Sequence, residues 1–155
     1  FLLVELTGSH DLSVPLWASV YVHDLARAHD DVCHHHGKDA ADLLSRDDEL
    51  RAHLSRGGAR RTDLPAITAA VTYHSLPREA DPDHPHIRLI RLMKDADGLD
   101  RVRLGDLDPA YLRHDITRRL VPFAQLLHDE TWPQNPEAFY ADAQRLWAKF
   151  RDSCC

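Results

Sequence analysis

The chemistry of this sequence concentrates in its histidines, twelve among 155 residues. His23-Asp24 stands at the C-terminal end of an otherwise apolar helical pattern. An imidazole nitrogen and a carboxylate oxygen placed side by side can lean toward one cation. That mixed donor set suits Zn, Fe, Mn, Ni or Co better than Ca, which prefers oxygen alone. Ten to twelve residues past Asp24 come His34-His35-His36, followed by Gly37, where His36 precedes a glycine at a helix start and can point back into a cleft. His74 shares a helical stripe with Ile67, Ala70 and Val71 and is expected to face inward. The run Lys94-Asp95-Ala96-Asp97-Gly98-Leu99-Asp100-Arg101 closes an apolar helix, flanked by Met93 and Leu99. Carboxylates partly buried there need a cation or hydrogen-bond donors. Taken singly, each piece has an ordinary explanation: a core histidine, a solvated loop, a charged helix end.

The elements that must position these groups read as helices nearly throughout. Leu2, Leu3 and Leu6 end a first helix that Gly8 closes. Ser13 is expected to cap the next, which carries Val14, Trp17, Ala18, Tyr21, Val22 and Leu25. A third helix follows Gly37. Asp47 caps a short polar helix through about Arg56, ended by Gly57-Gly58. Asp63-Leu64-Pro65 opens the helix bearing His74, which stops near Pro77. Another runs from about Pro85 to Asp97, and Gly98 to Asp108 reads as turn or irregular structure. Two last helices are expected at about Asp115–His128 and Pro136–Arg151, the second packing Phe139, Trp147 and Phe150 within the chain. No strand pair is apparent. The expected fold is an all-α single-domain bundle of about six to eight helices.

Composition narrows the function. Nineteen Lys+Arg against 25 Asp+Glu leave a net charge of −6, which argues against a general binder of nucleic acid duplexes. No apolar run approaches the roughly twenty residues of a membrane span, and no signal peptide is apparent at the N-terminus. Cys33, Cys154 and Cys155 do not describe a disulfide framework, so a reducing cytoplasmic setting is expected. An oligomer is not indicated.

In order, His23-Asp24, His36-Gly37, Tyr73-His74 and the run from Lys94 to Arg101 resemble the HD superfamily of metal-dependent phosphohydrolases, from about Leu12 to Arg103. The resemblance implies a helical bundle and one or two divalent transition-metal ions (Mn, Fe, Ni, Co or Zn). It assigns the metal-binding pair to His23 and Asp24, the two intervening histidines to His36 and His74, and the distal ligand to Asp95, with Asp97 as the close competitor. The family's first histidine sits on an earlier helix. Here His10 is too close to the pair, so that ligand is expected upstream of Phe1, with Phe1–Leu6 as the tail of its helix.

The implied chemistry is attack of a metal-activated hydroxide on a phosphate ester of a nucleotide or small phosphorylated metabolite. Arg27, one turn after Asp24, is the first candidate to hold the phosphate. Lys94 is a candidate to neutralise substrate charge or protonate a leaving oxygen; Arg78 and Arg101 are weaker ones. Asp30 and Asp31 can orient ligand histidines, and the proline-rich loop 78–86 can form a rim, with His84 and His86 at the surface. Two other functions fit the same residues. One is a mixed-valence di-iron oxygenase, for which HD proteins use the extra histidines; the other is a non-catalytic ligand-binding or regulatory module. Ala26-Arg27 stands where the (p)ppGpp hydrolase branch carries an acidic pair, and the Gly-Tyr-Pro signature of the cyclic-di-GMP branch is absent.

Overall fold

The computed structural model describes residues 2–29, 33–132 and 136–153. Among them every regular element is helical, with nine α-helices, four short 3-10 turns and no strand. The fold class is all-α. The chain divides into two compact units, 1–97 and 98–155. No described helix is long and apolar enough to cross a membrane.

In the first unit, α1 (Leu2–Thr7) stops at Gly8, whose φ of 64° is left-handed. Ser9 N donates to Val4 O and Gly8 N to Glu5 O, a pair of bonds that closes the helix as the glycine implied. The next expectation needs correction. Ser13 does not cap α2 (Ser13–Val22); it is the first helical residue. A 3-10 turn over His10–Leu12 runs directly into α2, and the Ser13 hydroxyl donates back to His10 O. The helix also ends at Val22, three residues before Leu25, so His23 to Ala26 form a turn.

Four further helices complete this unit's framework: α3 (His36–Arg46), α4 (Asp48–Arg56), α5 (Leu64–His74) and α6 (Ile87–Asp100), whose last three residues belong to the second unit. Asp47 caps α4 as expected, accepting from Leu50 N at 2.9 Å. Both α2 and α3 pack on α5. The contact is close because the facing residues are small: Ala18, Ala40 and Ala41 sit with Val22, Ile67 and Val71 in one buried cluster. Leu44 and Leu54 extend it toward α4. A fully buried Leu, Ile or Val contributes about 1.5–3 kcal/mol, so this apolar core, and not the polar groups beside it, supplies most of the unit's stability.

In the second unit the helix continues through Gly98 and passes into a 3-10 turn, Arg101–Leu104, ended by Gly105 at a φ of 71°. The sequence made Gly98 a stop, but its lack of a side chain serves packing. A Cβ there would stand 2.9 Å from Leu112 Cδ2. The single helix expected over 115–128 is two, α7 (Asp115–Arg119) and α8 (Val121–Thr131), which takes the total above eight. Pro122 explains the break, since it has no N–H to offer Arg118 O and its ring crowds that carbonyl. On α8, Phe123 lies edge-on to Trp147 at 5.1 Å, and Phe150 lies 5.5 Å away; both belong to α9 (Pro136–Ser153). The aromatic face of α9 therefore packs within the chain.

Candidate metal centre

Three helix ends meet at one point. His23 follows the last turn of α2, His36 opens α3, and His74 closes α5. In each, ring Nδ1 faces the backbone carbonyl three residues earlier: Val20 O for His23 (2.7 Å), Cys33 O for His36 and Val71 O for His74 (2.5 Å). A carbonyl oxygen only accepts, so Nδ1 carries the proton in all three rings. Each Nε2 is then left with a bare lone pair, and these atoms converge. His36 Nε2 is 2.8 Å from His74 Nε2 and 3.2 Å from Asp24 Oδ1. His74 Nε2 is 3.9 Å from the same oxygen, and His23 Nε2 is 3.5 Å from Asp24 Oδ2.

Two lone pairs facing each other at that range repel unless a cation lies with them. A shared proton is the weaker solution, because burial pushes the His36 imidazole below its ordinary pKa. Asp24 gives a second, independent sign. Its Oδ1 is buried with no hydrogen-bond partner, a costly state for an ionised oxygen. Yet the carboxyl stays ionised, held well below the usual carboxylate range by His74 first, then by His23 and Arg27.

The donor set fits a transition-metal ion. Ligand atoms of His23, Asp24 and His74 all lie within 4.8 Å of one another. Two donors each about 2.0–2.1 Å from one ion stand roughly 3 Å apart, the spacing found from His36 to His74 and to Asp24 (2.8 and 3.2 Å), while His74 and Asp24 stand wider at 3.9 Å. Orienting imidazoles by a second hydrogen bond through Nδ1 is how proteins hold metal-binding histidines.

Of the distal carboxylates, Asp97 reaches the cluster, with Oδ1 3.8 Å from His23 Nε2. Asp95, assigned first by the resemblance, is wholly buried two residues earlier on α6. Arg27 stands at the rim, with Nη1 3.4 Å from Asp24 Oδ2 and Nε donating to His29 O.

Lys94 is used differently from the expectation. Its buried ammonium donates to Leu76 O (3.0 Å), Arg78 O (2.8 Å) and Glu79 Oε1 (3.2 Å). Three protons meet three acceptors, so Lys94 ties the chain after α5 to α6. Arg78 is exposed, and Arg101, in the second unit, pairs with Asp106. His34 joins the end of α5 instead of the cluster: its Nδ1 donates to Ser75 O and its carbonyl accepts from Ser75 Oγ. His10 is exposed beside Glu5. His84 and His86 are half-buried, not fully at the surface, because Tyr73 stacks edge-on against His84. Asp30 and Asp31 lie outside the described residues, as do Phe1, Cys154 and Cys155.

The sequence reading missed the orienting carbonyls of Val20, Cys33 and Val71. Their one signal was positional, each lying three residues before a histidine. No family model, curated protein or solved structure matches this chain.

Proposed function

We propose that this chain is a metal-dependent phosphohydrolase of the HD type, acting on a phosphate ester of a nucleotide or small phosphorylated metabolite in a cytoplasmic setting. The observation that carries the reading is the convergence of the His23, His36 and His74 Nε2 atoms on the Asp24 carboxylate, whose buried Oδ1 faces His36 and His74 without a hydrogen-bond partner. His23, Asp24, His36 and His74, with Asp95 or Asp97 as the distal carboxylate, would hold one or two divalent transition-metal ions. Such an ion supplies a water with lowered pKa and polarises a phosphoryl oxygen.

The chain's own residues account for the rest. The Val20, Cys33 and Val71 carbonyls fix the imidazole tautomers, so no donor proton points into the centre. His74, with its side chain 1% exposed, excludes water from the floor. Arg27, beside Asp24, offers a guanidinium to an anionic phosphoryl group at the open side.

A di-iron oxygenase is the second reading, favoured by the same proximity of His36 and His74. Elemental analysis of protein purified without oxygen, followed by a panel of phosphate esters with Mn, Ni or Co, separates the readings. Turnover of an ester supports the proposal. An iron signal with oxygen consumption and no ester turnover transfers the site to the oxygenase reading. Tight ligand binding without either reaction makes it a regulatory module.

A further inference from the structure

Two glycines of the first unit are too crowded to accept a side chain, and only one of them touches the cluster. A Cβ on Gly37 would stand 2.4 Å from Val71 O, 2.7 Å from Ser75 Oγ and 3.0 Å from His74 Cε1. A Cβ on Gly57 would stand 2.3 Å from the Trp17 ring, among apolar groups. The neighbours of Gly37 are specific to the site. Val71 O is the acceptor that orients the His74 ring. Ser75 Oγ is the group that ties down His34. The next residue back along the chain is His36, whose Nε2 meets that of His74.

We infer that Gly37 is a positioning residue of the metal centre, an inference that rests on the metal reading above. Without a side chain, the first turn of α3 lies directly on the last turn of α5, and His36 and His74 reach the same ion. Val71 O belongs to a helix and cannot swing aside as a side chain end would. A methyl group at 37 therefore displaces α3 or turns the carbonyl. Either movement opens the His36–His74 pair by something on the order of 1 Å, enough to spoil a coordination site.

The test is titration of the metal-free chain with Co(II), followed by visible absorption and by competition against a chelator, with helicity and urea stability measured alongside. Gly37→Ala is expected to weaken Co(II) binding about 10- to 100-fold, the range for groups that orient metal ligands, and to change the band pattern. Gly57→Ala, equally crowded but remote from the cluster, is expected to lose stability while keeping wild-type affinity and bands. If Gly37→Ala does not fold, Gly37→Ala/Ser75→Ala gives the methyl the space of Oγ, with Ser75→Ala as its reference. Wild-type bands and affinity in a folded Gly37→Ala or double variant overturn the inference alone. Absence of any Co(II) bands in the wild-type chain overturns the metal reading and this inference with it, which is a distinguishable result.

Discussion

Lys94 and the histidine cluster are both buried and polar, and both belong to the first unit, but they differ in how well their bonding is satisfied. The ammonium of Lys94 has an acceptor for each proton. The cluster has lone pairs facing lone pairs and a carboxylate oxygen with nothing to accept from. A saturated buried charge stabilises the fold that surrounds it. An unsaturated one costs stability in the absence of a ligand, and its persistence marks a place built for something else. The same helix, α6, carries Lys94 to the first kind of environment and Asp97 to the second, three residues later.

The contrast can be broken most directly at Asp24. Asp24→Asn keeps the shape but supplies amide protons to the facing Nε2 atoms. We expect it to abolish retention of metal through dialysis, seen by elemental analysis; metal retained at the wild-type level would break the assignment of Asp24 as a ligand. Lys94→Met should do the reverse. Two carbonyls lose their donor, at about 1–3 kcal/mol for each unsatisfied buried group, so urea denaturation should show a loss of about 3 kcal/mol with metal content unchanged.

Acid should separate the two regions further. Burial lowers the His36 pKa in the folded state, so its unfavourable protonation is felt only below the ordinary imidazole value of about 6.5. Stability of the metal-free chain is full above that pH and falls as pH drops through it toward the depressed folded value. Asp24 adds a later step: its contribution is full above about 3.8 and is lost as pH falls toward its lowered folded pKa. Denaturation midpoints from pH 8 to pH 4 should show the first decline in the wild-type chain and a shallower one in His36→Gln. Glu79→Gln gives the smallest effect. The carboxylate is 55% exposed, and an exposed ion pair contributes about 0–1 kcal/mol, so the variant should stay within 1 kcal/mol of wild type in the same urea assay.

What could be read from the sequence follows the range of the interactions involved. Gly8 and Asp47 acted as foreseen because capping depends on residues a few positions away, and Pro65 stands in the first turn of α5 where its missing N–H costs nothing. Ser13 misled because the preceding 3-10 turn, not the serine, decides how α2 begins. Gly98 misled because a distant Leu112 explains it. At the site, His23, Asp24, His36 and His74, which the structure brings together, were singled out by residue type and by the resemblance to the HD superfamily. That Asp97 comes within 3.8 Å of His23 depends on the path of α6, which residue type alone does not give. The engagement of Lys94 was hidden because two of its acceptors are backbone carbonyls 16 and 18 residues back, and a carbonyl has no signature in the sequence.

Side-chain exposure falls from 36% at Asp24 and 35% at Asp97, through 22% at Arg27 and 19% at His23, to 1% at His74. Among the described residues the centre is thus most exposed at its two carboxylates and closed at His74. A small cation is drawn in at once, whereas an anion meets two negative groups and one guanidinium. On the phosphohydrolase reading proposed above, a divalent ion would reverse the sign of the field there, and it would have to enter before a phosphate ester.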